Sequence, residues 1–106
     1  MSYRWPNKDP DEMLDNTIDW SRLVPSDQTI TMVTWYIDDE TGVKTTVVPT
    51  STVNFLYVES VSLSGAKTTI ILSAGTSGVD YKITCNVLLS GGLSFERSVR
   101  MSVKDF

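Results

Sequence analysis

Apolar and polar side chains alternate with a period of two through much of this chain, and the alternation is cleanest near its end. Tyr81, Ile83, Cys85, Val87 and Leu89 form one apolar row; Leu93, Phe95, Val99, Met101 and Val103 form another after a short break. Successive side chains of a strand point to opposite faces, so two such rows predict a β-hairpin with one buried and one wet face. A two-residue turn at Gly91-Gly92 would set Leu89 opposite Ser94, whereas a three-residue loop, Ser90-Gly91-Gly92, sets Leu89 opposite Leu93 and Val87 opposite Phe95. Only the second register puts both rows on one face. Such a loop needs a left-handed residue near its end, which glycine supplies without steric cost.

Upstream the same reading predicts further short strands. Leu14, Ile18 and Trp20 face one way and Asp15, Thr17 and Asp19 the other, giving a first strand over 14–20, although a one-turn helix over 11–14 also fits. Thr29 to Ile37 is rich in β-branched and aromatic residues, with Val33, Trp35 and Ile37 on one face, and Asp38-Asp39-Glu40-Thr41-Gly42 supplies turn chemistry after it. Lys44 to Val48 forms a short strand that Pro49 ends or pushes to an edge, because proline donates no ladder hydrogen bond. Within Val53 to Leu63 the run Phe55-Leu56-Tyr57-Val58 is apolar on both strand faces, so one face can enter a core while the other needs a cover. Thr68 to Leu72 is a further strand and Ser73 to Gly78 a glycine-containing loop. About seven short strands with regular turn signals point to an all-β fold, an immunoglobulin-like β-sandwich over residues 13–106. Residues 1–12, with two of the four prolines and the large side chains of Tyr3 and Trp5, are expected to form an extended N-terminal arm.

A chain of 106 residues fits one domain and can bury a core without metals or disulfides. No apolar run approaches the roughly 20 residues of a membrane helix. The net charge of −4, with basic residues scattered along the sequence, argues against tracking a phosphate backbone. The opening MSYRWPNKDPDE has no apolar stretch of the secretory kind, so folding in the cytoplasm is the expectation. Cys85, the single cysteine, lies on an apolar row and is expected to be a free buried thiol.

Catalytic chemistry finds little to work with. There is no histidine, so proton transfer would fall on carboxylates, lysines, tyrosines or one thiol. Carboxylates cluster as Asp9, Asp11, Glu12 and Asp15 and again as Asp38, Asp39 and Glu40, but the second group lacks the spacing of a calcium loop and reads as a solvated turn. Cys85 has no neighbouring cation in sequence to activate it. No catalytic, metal or cofactor-binding residue is therefore assigned. Tyr81, just after a glycine loop, suits a tyrosine whose hydroxyl ties back to the preceding corner. Arg97 interrupts the apolar row between Phe95 and Val99, through snorkelling, a bulge, or pairing with an acid at a subunit contact. Tyr3 and Trp5 either fold back on the domain's own edge or anchor in a neighbouring protein, and Phe55 and Tyr57 pose the same choice. These four are the candidate partner-binding residues.

The segments KDPDEMLDNTIDWS and LSAGTSGVDYKITCNVLLSGGLSFERSVRMSV resemble the fibre-tail adaptor family, small proteins of tailed bacteriophages and prophages. The residues that correspond are Lys8, Asp9, Pro10, Asp11, Glu12, Leu14, Asp15, Ile18, Asp19, Trp20 and Trp35, then Leu72, Ser73, Gly75, Gly78, Tyr81, Thr84, Gly91, Gly92, Arg97, Ser98, Val99 and Arg100. Between Asp38 and Ala66 the chain departs from the family's pattern and carries an extra apolar strand. The resemblance implies a non-enzymatic, immunoglobulin-like structural subunit of the virion, assembled in the host cytoplasm and lying near the head-tail junction. Its partners would be portal-proximal, tail or fibre subunits, with several copies in a symmetric ring and neither nucleic acid nor membrane bound. A rival reading is a carbohydrate- or receptor-binding module with Trp35 or Tyr57 as an exposed aromatic platform. A histidine-free hydrolase ranks last.

Overall fold

β-branched and aromatic residues dominate the extended stretches of this chain, and the backbone follows them. The structure, a computed structural model, describes residues 2–4, 13–38, 45–48, 50–53 and 56–103. Among these, nine strands form: β1 (Ser2–Arg4), β2 (Leu14–Asp19), β3 (Ile30–Asp38), β4 (Thr45–Thr46), β5 (Thr52–Val53), β6 (Leu56–Ser64), β7 (Lys67–Ala74), β8 (Asp80–Leu89) and β9 (Ser94–Ser102). They make a sheet of order β1-β9-β8-β3-β4 and a second of order β2-β7-β6-β5. Every pairing is antiparallel except β1 with β9, which is parallel. The predicted turn over 38–42 falls largely outside the described residues, as does Pro49.

The hairpin register agrees with the sequence reading. Val87 pairs with Phe95, the Leu89 N–H donates to the Leu93 carbonyl at 2.8 Å, and Gly92 takes a φ of 93°. Leu93 nevertheless remains 57% exposed, because it stands at the hairpin tip beyond the last ladder pair. Arg97 sits opposite Cys85 in an unbroken ladder, so no bulge displaces it.

Two bulges elsewhere reset the alternation. Thr31 is the extra residue where Ile30 pairs with Leu89 and Met32 with Leu88, and its hydroxyl donates to the Leu88 carbonyl at 3.1 Å. Ile30 and Trp35, on opposite parities, can then both be buried. Glu59 is the extra residue between Val58 and Ser60, so Leu56 and Val58 before it and Val61 after it share the inner face.

The core lies between the sheets, with Ile18, Trp20, Leu56, Val58, Ile70 and Leu72 from one side and Ile37, Tyr81, Ile83, Val87, Val99 and Met101 from the other. At its end Gly75 packs so closely that a Cβ would come within 2.9 Å of a Val103 methyl, and its φ of +102° is one that glycine accepts freely. The Thr76 N–H donates to the Tyr81 hydroxyl at 3.3 Å, tying the β7–β8 corner to the start of β8 as the sequence led one to expect.

One buried hydroxyl joins the two sheets. Thr68 on β7 accepts from the Trp20 indole N–H at 2.9 Å and from the Cys85 thiol on β8 at 3.5 Å. The Arg97 guanidinium of β9 stands 5.5 Å from the centroid of the Trp20 ring, so the odd cation of the apolar row caps the same indole by a cation–π contact. Cys85 is free and buried, and burial pushes its thiol up to about 11 from an ordinary 9.0, against a smaller opposite pull from Thr68.

Thr68→Val keeps the shape but strands the indole N–H, and should lower the unfolding free energy in urea by about 1–3 kcal/mol, whereas Thr68→Ser should cost less. Equal losses from the two would contradict the role of the hydroxyl. The thiol supplies a pH signature. Its folded pKa is raised, so the unfolded chain releases this proton first, and the contribution of the neutral thiol is complete below about pH 9 and lost as pH rises through about 11. Urea midpoints of the wild type should fall more steeply than those of Cys85→Ala across that window; parallel curves would contradict it.

Candidate partner-binding surfaces

The alternation of β6 decides what its two-faced apolar run offers to a partner. Leu56 and Val58 are fully buried, while Tyr57 takes the opposite face, half-buried between the register positions of Thr52 and Ser73. Next to it the Ser73 hydroxyl donates to the Glu59 carboxylate at 2.8 Å, which makes the neighbourhood of Tyr57 polar. Phe55 lies outside the described residues.

The first strand carries Tyr3. Ser2–Arg4 runs parallel to β9 with Tyr3 beside Val99, so at least these three residues of the predicted arm line the edge of the five-stranded sheet. Trp5 and the rest of the tract to Glu12 lie outside the described residues. Tyr3 and Tyr57 belong to strands of different sheets. Among the described residues, β1 meets β9 at Ser98 to Arg100.

Trp35 requires a correction. Proposed as an exposed platform, it is 3% exposed, because it falls on the inner face of β3 opposite Cys85. Its indole N–H is buried without a hydrogen-bond partner. A shallow groove of ≈ 280 Å³ opens beside it between β3 and β6, flanked by Met32 and Leu63. Its lining is mainly apolar and offers no convergent set of polar groups for orienting a ligand.

The sequence reading missed a pattern that only register reveals. On the outer face of the five-stranded sheet, Asp38, Lys82 and Arg100 occupy successive positions of one cross-strand row from β3 to β9. Positions directly opposite in a ladder are about 5 Å apart, so Lys82 and Arg100 repel each other where Asp38 and Lys82 attract. On the other sheet, Asp15 and Asp19 take exposed outward positions of the edge strand β2, and the Ser21 N–H, donating to Asp19 at 2.9 Å, holds that carboxyl below its usual range. Among the described residues no group of three or more histidine, cysteine, aspartate or glutamate side chains is placed to hold a metal ion.

A family model described as podophage GP4 fiber-tail adaptor protein gp77 matches residues 8–102, a span that takes in β2 through β9 and runs through the stretch between Asp38 and Ala66. No curated protein matches the chain.

The two faces of β6 make a direct contrast. Leu56→Ala should cost about 2–5 kcal/mol in urea unfolding, as large-to-small changes in a core do, whereas Tyr57→Ala should cost about 1 kcal/mol or less. Comparable losses would mean that Tyr57 is committed to the interior and cannot serve a partner.

Proposed function

The chain belongs to the podophage GP4 fiber-tail adaptor family, and we propose that it works as an immunoglobulin-like subunit near the head-tail junction, joining tail and fibre proteins through its sheet edges and N-terminal tract. As a member of that family it is a structural, tail-associated component of the virion, and in this reading it works by contact and not by catalysis. The observation that carries the reading is the extent of the match, which covers 8–102 and therefore nearly every strand of both sheets.

Several features support the immunoglobulin-like assignment. The sheet orders β9-β8-β3-β4 and β2-β7-β6 are those of a Greek-key sandwich, and Tyr81 at the start of β8 makes the corner hydrogen bond typical of that fold. Trp35 and Cys85 face each other across β3 and β8, where antibody domains set their tryptophan and one half of their disulfide. Fold alone does not give function, so the adaptor role rests on family membership and on surfaces.

Those surfaces favour contact by edge and arm. The outer side of β2, an edge strand among the described residues, presents backbone groups to which another strand can add. In this reading Tyr3 and Trp5 anchor the arm in a neighbour, the charged Asp9–Asp15 tract sets register, and Phe55 and Tyr57 offer a second aromatic patch. Multiple copies in a ring give each subunit the same set of contacts.

A phage encoding the chain without residues 1–12 tests this. Among the described residues the buried apolar core begins at Ile18, and the deletion takes away only the edge strand β1 from the described sheets, so the truncated protein should still unfold cooperatively but should be missing from purified virions. Its incorporation at the wild-type level would contradict the role of the arm.

A further inference from the structure

The groove between β3 and β6 is walled by two strand edges. The Thr50 N–H donates to the Val58 carbonyl at 2.8 Å and the Val58 N–H to the Ser51 carbonyl at 2.9 Å, so the backbone groups of Val58 face the β5 side of the sheet. In an antiparallel ladder each residue turns its N–H and C=O to one side, and the next residue turns them to the other. Leu72, opposite Val58 on β7, therefore turns toward β2, and so do Ile70 and Thr68 at the alternate positions before it in an unbroken ladder. Val61 and Leu63 pair with Ile70 and Thr68, so their N–H and C=O face away from β7, on the side where β5 lies. Among the described residues, β5 and its lead-in bond to β6 no further than Val58.

The opposite wall repeats the arrangement. The Val47 N–H donates to the Trp35 carbonyl at 2.9 Å, so Trp35 and, two residues earlier, Val33 turn their backbone groups to the β4 side. β4 itself pairs only with Tyr36 and Ile37. An open edge is a template for another strand, and native edges are commonly guarded by charge or proline. Neither 32–34 nor 61–63 contains a charged residue or a proline.

The side chains define what kind of strand fits. The groove holds ≈ 280 Å³, none of its lining residues is charged, and Met32 and Leu63 flank it at 59% and 43% exposure. A charged segment would lose its hydration there and meet no counter-charge, so charge matching selects an uncharged, apolar occupant. A small molecule needs convergent polar side chains, whereas an extended polypeptide brings its own backbone donors and acceptors to an edge. The vacant stretch also continues the line of β5 along an edge of β6 that is already in use. Trp35, whose indole N–H has no hydrogen-bond partner, lines the same groove.

We propose that the groove between β3 and β6 receives an extended, uncharged, apolar segment of another virion protein, which adds to β6 beyond β5 as a further strand. The origin of the segment in the virion rests on the adaptor reading; the strand addition rests on the edge.

Capped heptapeptides that alternate threonine with valine, leucine or isoleucine test it against the full chain by NMR. At least one should bind with a Kd of about 1 mM or tighter. It should shift the Val61 and Leu63 amides, slow their hydrogen exchange at least about tenfold, and move the Trp35 indole signal while that of Trp20, held by Thr68, stays in place. Methylating alternate backbone nitrogens of the bound peptide, or replacing its apolar residues with lysine, should abolish binding. Leu63→Asp and Met32→Asp, both at exposed positions, should each weaken it at least about tenfold with urea midpoints unchanged, and Met13→Asp should not. Should Leu63→Asp fail to fold, Leu63→Ser takes its place and should show an intermediate loss. Failure of all three peptides to bind, equal binding of the methylated form, or a wild-type dimer abolished by Leu63→Asp, which would give the groove to a second copy, would overturn the proposal. Virion incorporation separates the two levels, and Leu63→Asp should be depleted from purified virions. A Leu63→Asp chain that has lost the peptide yet is incorporated normally sinks the virion occupant and leaves the adaptor reading standing, whereas a wild type absent from virions sinks the adaptor reading itself.

Discussion

The hydroxyl of Thr68 is the polar point about which the apolar interior is organised. A tryptophan brings a large apolar surface to a core but also an N–H that must find an acceptor once water is gone. Trp20, where β2 ends, finds it in Thr68 on β7, and the same oxygen meets the Cys85 thiol of the opposing sheet. Arg97, from β9, covers the indole. Four strands from both sheets thus converge on one ring and one oxygen, which gives the relative placement of the sheets a directional element that non-directional apolar packing lacks. Trp35, by contrast, keeps its indole N–H buried without a partner, so the two inward tryptophans are not equivalent.

This arrangement leaves the outer faces and edges free to differ. The interior asks only for volume and for satisfaction of a few polar atoms, while the outer rows carry lysine, arginine and aspartate at positions that no packing requirement dictates. Family membership says that the protein is a tail-associated adaptor; the contacts proposed for it lie on edges, on outer faces and in the tract leading into β2.

Much of the fold was legible in the residues because local alternation and turn chemistry agreed. The register of the last hairpin followed from Leu89, Leu93 and the two glycines, and the corner role of Tyr81 from its place after a glycine loop. The bulges at Thr31 and Glu59 were written as breaks of parity, Ile30 against Val33 and Val58 against Val61, but a break of parity can also mark the end of a strand. Trp35 was misread as exposed although its alternation with Val33 and Ile37 already assigned it inward. The parallel pairing of Ser2–Arg4 with Ser98–Arg100 joins the two ends of the chain, and no local pattern announces such a contact. The charged row of Asp38, Lys82 and Arg100 depends on two further registers, which is why it is visible only in three dimensions. Of the candidate residues, Tyr57 is placed on an outer face, while Trp5 and Phe55 lie outside the described residues.

The central claim, that this two-sheet body serves the virion by joining subunits through its edges and faces, is tested most directly by a density map of the assembled tail. The account predicts several copies arranged around the tail axis where the fibres attach, each in contact with neighbouring subunits through its edges and outer faces. A map in which the domain is absent from the tail, or present with its outer faces and sheet edges fully solvated, would contradict it.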